Sequence, residues 1–252
     1  MTSILHNQEQ GVLTLTLNRV DKMNALTADM YAALADHLTL AQAADDVRVV
    51  LLQGHETVFS AGNDIADFLQ QPPANPNSPV SRFLRGIAVF PKPLLASVCG
   101  PAVGVGTTML FHCDLVYAGD NAAFSMPFVN LGLCPEAASS VLAVQLMGYQ
   151  RAAEALLMGE PFMVETALEM GLVSRVLPPA EVNAYAQRQA QKMAAKPLSS
   201  LIETKRLMKQ ASTPAVLSQM DQEAAVFGRM LKEPAAIEAF SAFMEKRKPV
   251  FG

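Results

Sequence analysis

Twice in this chain an apolar strand runs into a turn of small residues and then into the start of a helix. The first instance spans Val50 to Ala66 around Gly62-Asn63, and the second spans Leu94 to Met109 around Gly104-Val105-Gly106. Apolar strands alternating with helices argue for an α/β core. The turns also have a chemical consequence. Small residues let another molecule approach the main chain closely, and the first turn of a helix leaves N–H groups without intrahelical partners. Two such N–H groups meeting at one oxygen would form an oxyanion hole. Either turn taken alone has a plainer reading, in which its glycines serve turn geometry. The second turn lacks the G-x-G-x-x-G spacing and lies outside the first strand–helix unit, which argues against a nicotinamide dinucleotide site.

The surrounding pattern extends the α/β reading. Val12 to Leu17 alternates as a strand, and a helix follows from about Thr27 with Met30, Leu34, Leu38 and Ala41 on one face. Val47 to Gln53 and Leu94 to Cys99 read as buried strands, with shorter strands at Leu115 to Tyr117 and Ala122 to Ser125. Residues 71–79, Gln-Pro-Pro-Ala-Asn-Pro-Asn-Ser-Pro, read as a mobile surface loop between two helical stretches. From about Glu136 the chain reads as nearly all helix, broken by a strand-like piece at Leu172 to Leu177. Helical patterns cover roughly 181–194, 198–211, 214–231 and 234–246. The expected organisation is an α/β core over 1–195 and a helical region over 196–252.

Composition narrows the function. Of 252 residues, 51% are hydrophobic and 17% charged, enough to bury a large core and too apolar for a disordered chain. A net charge of −4 with no basic stripe excludes nucleic acid as the expected partner. Lys246-Arg247-Lys248 is the one basic cluster, read as a solvated helix end or a contact for an anion. The 14 methionines with no tryptophan suit core filling or packing around an apolar ligand. Cys99, Cys113 and Cys134 have no C-x-x-C spacing and fit reduced, buried thiols. No signal peptide and no apolar run of membrane-spanning length are apparent, so the expectation is a soluble cytoplasmic protein.

One acid stands out. Glu136 lies in Leu131-Gly132-Leu133-Cys134-Pro135-Glu136-Ala137-Ala138-Ser139-Ser140, a run with no other charge. Burial without a counter-charge raises a carboxyl pKa and makes it a base usable near neutral pH. The open alternative is a solvated acid at a helix start, favoured by the macrodipole. Asp64 is weighed as an assisting acid against a structural helix cap, with the cap favoured. His112-Cys113-Asp114 lacks metal-ligand spacing, so no metal site is expected. Cys134 reads as a buried inert thiol rather than a nucleophile, and His55 as a solvated loop residue.

The segments Leu17–Leu26 (LNRVDKMNAL), Phe59–Ile65 (FSAGNDI), Val98–Gly106 (VCGPAVGVG), Cys113–Leu133 and Ala239–Pro249 together resemble the crotonase superfamily, the enoyl-CoA hydratase/isomerase family. The resemblance implies a spiral of repeated ββα turns with a C-terminal α-helical trimerisation region, assembled as a homotrimer or a hexamer of paired trimers. It implies a coenzyme A thioester as substrate and no tightly bound cofactor. It assigns the N–H groups of Asn63 and Val105 to the oxyanion hole. Lys22, Asn24 and Ala25, with Ala61, Asp64 and Ile65, would hold the CoA moiety. Val105 stands where many relatives have glycine, a change that leaves its N–H in place.

In the family's hydratases two glutamates flank the water, at positions occupied here by Thr108 and Phe128. Neither side chain can activate water or protonate carbon. The remaining acid, Glu136, matches the single catalytic glutamate of the Δ3,Δ2-enoyl-CoA isomerase branch. The expectation is therefore double-bond isomerisation in fatty-acid breakdown. Residual hydratase, hydrolase or dienoyl isomerase chemistry, or non-catalytic acyl-CoA binding, are the alternatives. Phe128, Met126, Leu133 and Met147 are candidates for shaping an acyl pocket.

Overall fold

The computed structural model describes residues 2–71, 75 and 77–251. The strands are β1 (Ile4–Glu9), β2 (Val12–Leu17), β3 (Val49–Gln53), β4 (Leu94–Val98), β5 (Pro101–Val103), β6 (Leu115–Gly119), β7 (Ala123–Ser125), β8 (Phe162–Met163) and β9 (Arg175–Leu177). The helices of the first half are α1 (Ala28–Ala43), α2 (Ile65–Gln70), α3 (Pro79–Val89) and α4 (Val105–Thr108). Those of the second half are α5 (Ser139–Met147), α6 (Tyr149–Ala153), α7 (Val164–Glu169), α8 (Pro179–Ala194), α9 (Leu198–Lys209), α10 (Thr213–Met230) and α11 (Pro234–Met244).

Six strands form one sheet in the order β1-β2-β3-β4-β6-β9, with β1 and β2 antiparallel and the others parallel. A three-stranded sheet, β5-β7-β8, stands beside it. The apolar runs of β3 and β4 lack alternation because both faces of the large sheet are covered. Val50, Leu52, Leu94 and Ala96 face the main core with α1 and α3. Val49, Leu51 and Leu95 face α8, whose Val182, Ala186, Ala190 and Ala194 form a flat stripe against them.

Edge strand β1 was not visible in the sequence. Of its six residues only Ile4 is buried, so Leu5-His6-Asn7-Gln8-Glu9 shows no apolar period. The expected loop at 71–79 falls in part outside the described residues, at 72–74 and 76. The helices of the C-terminal half lie close to where the pattern put them, but the stretch beginning at Glu136 does not. Glu136 lies in a loop, and α5 starts only at Ser139.

The C-terminal helices are tied to the sheet by buried lysines. Lys92 Nζ donates to the carbonyls of Ala41, Ala44 and Val47, closing the C-terminal end of α1. Lys205 on α9 bonds the carbonyl of Lys92 and pairs with Asp114 at 2.7 Å. Asp114 also accepts the N–H of Leu94 and so serves strand β4. Among the described residues no group of three or more metal-ligating side chains exists.

Candidate active site

The two turns are joined strand to strand. Ser60 pairs in parallel with Ala102, with Ser60 N–H donating to Pro101 O and Val103 N–H to Ser60 O. Glycine permits this approach. A Cβ at Gly62 would stand 2.8 Å from Val103 O, and one at Gly106 would stand 2.8 Å from Ser60 O. Leu26 then grips the first turn from the other side, donating to Gly62 O at 2.8 Å and accepting from Asp64 N at 2.9 Å. The N–H of Asn63, between those two peptides, therefore faces away from Leu26, and no protein acceptor among the described residues takes it up.

Val105 opens α4, so its N–H lies in a helix's first turn, where no carbonyl four residues earlier in the helix exists. Gly104 before it has φ 55° and ψ −118°, a conformation closed to most L-residues. Asn63 and Val105 both line one cavity of about 560 Å³. Its walls include Phe128, Leu131 and Leu133 from the segment after β7, Phe68 on α2, Phe227 on α10, and Phe240, Phe243 and Met244 at the end of α11. It is an apolar chamber with two unused main-chain donors at its wall.

The residues that the resemblance assigned to CoA sort into two groups. Lys22, Ala25, Ala61, Asp64 and Ile65 line the cavity. Asn24 does not, because it is fully buried with its side chain committed to the protein. Its Oδ1 accepts from Arg19 N, and its Nδ2 donates to Val58 O and Phe59 O. Asn24 holds the loop that carries its neighbours. Asp64 caps α2 through Asp67 N and pairs with Arg19 at 2.7 Å, which holds its carboxyl below the ordinary value although burial opposes this. Among the acyl-pocket candidates, Phe128 and Leu133 line the cavity, while Met126 and Met147 are core residues.

Glu136 stands on a second cavity of about 300 Å³, between α3 and α10. Phe227 lines both cavities. The residue is partly accessible, but its Oε1 is enclosed and has no hydrogen-bond partner. Burial first, and the nearby Glu223 second, push its pKa up to about 8. Of the two readings of this acid, the helix-start one fails on position, because α5 begins only at Ser139. Ala137 and Ala138, which follow it, are both left-handed, at φ 59° and 56°.

Two neighbours of Glu136 were not legible in the sequence. Tyr31 on α1 is buried and donates from its hydroxyl to Asn63 Oδ1 at 2.5 Å. Burial, and then the Glu136 charge, hold its phenol well above the usual value, so it meets Asn63 as a neutral donor. Glu223 on α10 is the second. Both act across long sequence separations that no local pattern marks.

Other groups are chemically quiet. Burial pushes the thiol of Cys99 to about 11, Cys113 to about 12 and Cys134 to about 11, so none is a nucleophile at neutral pH. His112 is buried and neutral, its pKa lowered to about 4, and Nε2 bonds Ala137 O at 2.8 Å. His55 is exposed and bonded to Thr57. Arg247 of the basic cluster is paired with Glu238 and Glu245.

With this geometry established, comparison with known proteins is decisive at the family level. The enoyl-CoA hydratase/isomerase family model matches residues 7–252. The chain belongs to the enoyl-CoA hydratase/isomerase family. It is similar to 2,3-dehydroadipyl-CoA hydratase of Escherichia coli (strain K12), at 31% identity over 100% of this chain and 99% of that protein. It is also similar to enoyl-CoA delta isomerase 2 of Rattus norvegicus, at 34% identity over 98% of this chain and 64% of that longer protein. The crystal structure of an enoyl-CoA hydratase/isomerase from Pseudoalteromonas atlantica T6c superposes with a TM-score of 0.95 at 38% identity, covering all of both chains. The relatives carry both hydratase and isomerase names.

In this family member the two positions compared above with the hydratases' glutamates hold no acid. Thr108 is fully buried with its hydroxyl unpartnered, and Phe128 presents an apolar ring to the cavity. Family membership makes an acyl-CoA thioester the substrate class, and the site chemistry must distinguish addition of water from movement of a proton.

Proposed function

We propose that this protein converts a 3-enoyl-CoA to the trans-2-enoyl-CoA, with Glu136 carrying the proton and the N–H groups of Asn63 and Val105 holding the thioester oxygen. The observation that carries this reading is Glu136, its Oε1 enclosed and unpartnered and its pKa raised to about 8, in a site with no acid at positions 108 and 128. Proton shuttling needs one base, whereas hydration needs a base for water and an acid for carbon.

The C2 protons of a 3-enoyl thioester are acidic because their loss gives a conjugated dienolate. Glu136 takes a proton from C2. The C–H electrons move into the conjugated system, and negative charge develops on the thioester oxygen. Asn63 and Val105 donate to that oxygen from fixed peptides, with each donor contributing roughly 3–4 kcal/mol to the transition state. Glu136, now a carboxylic acid, returns the proton at C4, the C2–C3 double bond forms, and the thioester carbonyl is restored. No water and no redox partner enter. The base contributes about 10²–10⁴-fold. Because Glu136 lines one cavity and Asn63 and Val105 the other, with Phe227 bordering both, the reading requires the two to open into each other so that C2 and C4 reach the carboxyl.

Glu136→Gln keeps the size of the side chain and removes the base. Isomerisation of 3-enoyl-CoA is expected to fall by about 10²–10⁴-fold while circular dichroism shows an unchanged fold. Near-wild-type isomerisation in that variant would remove Glu136 from the mechanism. The hydratase relative motivates a parallel assay: on this reading 2-enoyl-CoA supplied to the enzyme keeps its conjugated-thioester absorbance. The same reading carries three further expectations: no tightly bound cofactor, a cytoplasmic setting and assembly of three or six chains. Light scattering on the purified protein checks the last.

A further inference from the structure

The turn that presents Glu136 is held from three elements. From the 3-10 turn Met109–His112, His112 bonds Ala137 O at 2.8 Å. From the first residue of α5, Ser139 Oγ donates to Glu136 O at 2.6 Å. From α10, Glu223 accepts from Ala138 N at 2.6 Å, Ser140 N at 3.0 Å and Ser140 Oγ at 2.5 Å, while Gln219 steadies Ser140 Oγ at 2.9 Å. Two consecutive alanines in the left-handed region are disfavoured for L-residues and persist only where the surroundings hold them.

A cap from a neighbouring helix would explain those bonds alone, but Glu223 also lines the cavity on which Glu136 stands. Among the described residues no lysine or arginine forms an ion pair with either acid. The other titratable groups around Glu136 cancel or are neutral. Tyr31 from α1 and His112 are uncharged at neutral pH. Arg85 from α3 is paired with Asp221 from α10 at the cavity wall. Glu223 is the uncompensated charge facing the acid. Burial raises the Glu223 carboxyl overall, against three donors that favour its charged form, whereas no donor opposes burial at Glu136.

We infer that Glu223 is a positioning residue. It fixes the left-handed turn that presents Glu136, and its negative charge makes Glu136 hold a proton more tightly. As regards catalysis, this inference rests on the proposed role of Glu136 as proton carrier. A more basic Glu136 is the better acceptor of a C2 proton, and the fixed turn keeps the acid in reach of both carbons.

Two variants separate the functions of the side chain. Glu223→Gln loses the charge and keeps one of the two accepting oxygens, enough for either Ala138 N–H or the Ser140 pair, while Glu223→Ala loses the charge and both acceptors. In substrate-free protein the Glu136 carboxyl can be titrated by carbon-13 NMR, its signal identified by its absence in Glu136→Gln. Glu223→Gln is expected to lower that titration by about one pH unit, which is about tenfold in proton affinity. The limb of the isomerisation pH profile should move with it and KM should stay unchanged. Glu223→Ala is expected to lower kcat about tenfold or more with little change in KM. If Glu136 titrates identically in the wild type and in a Glu223→Gln variant of native circular dichroism, the inference is overturned. The titration needs no substrate, so it decides this point even where the isomerisation assay rejects the proposed reaction.

Discussion

At the scale of single residues, Glu136 combines enclosure, the absence of a counter-charge and a like-charged neighbour, which all favour the protonated form. A base must be ionised to act. The kcat/KM for isomerisation is therefore expected to rise with pH through about 8 and flatten above it, as measured over a range of buffers. A profile flat from pH 6 to 9 would contradict that assignment. Tyr31→Phe is expected to leave Asn63 Oδ1 without its buried donor, at a cost of about 1–3 kcal/mol in denaturant unfolding, and to lower kcat through the loosened turn. Glu136 was legible because an acid in an uncharged run is visible on inspection. Its setting was not. The acid was open to reading as a helix-start residue, but Glu223, far along the chain, binds the N–H groups of Ala138 and Ser140 and delays the helix to Ser139.

At the scale of elements, the site depends on two strand–turn–helix units lying side by side, which only small residues permit. Gly106→Ala places a Cβ 2.8 Å from a backbone oxygen rather than from a flexible side chain. The expected loss is roughly 1–3 kcal/mol of stability, with kcat falling more than KM rises because Val105 N–H is displaced. A variant with wild-type stability and kcat would show that the approach of the turns does not matter. Both turns were legible from their order of strand, glycine and helix start. What the sequence did not reveal is that Ser60 pairs with Ala102, the contact that brings the two turns together. Asn24 illustrates the converse. It sits among residues that line the cavity, yet its side chain turns inward to bind Val58 and Phe59, a choice set by backbone groups distant in sequence.

At the scale of the whole molecule, α10 and α11 close the cavity with aromatic side chains and supply Glu223, so the helical region completes the site. Two buried groups also shape stability against pH. Glu136 has a folded pKa of about 8 against an ordinary 4.5, so between those values the folded state holds a proton that the unfolded state has lost, and stability falls as pH rises. His112 has a folded pKa of about 4 against 6.5, so stability falls as pH drops through that window. The melting temperature of Glu136→Gln should therefore exceed that of the wild type by a margin that grows from pH 5 to pH 8. A pH-independent difference would contradict the buried, raised acid. The central claim is that the single carboxyl of Glu136 moves a proton from C2 to C4 without adding water. Its most direct test is a 3-enoyl-CoA deuterated at C2, with the product analysed by mass spectrometry and NMR. The account predicts trans-2-enoyl-CoA carrying transferred deuterium at C4, lost in Glu136→Gln. A 3-hydroxyacyl product, or label transfer that persists in Glu136→Gln, would contradict it.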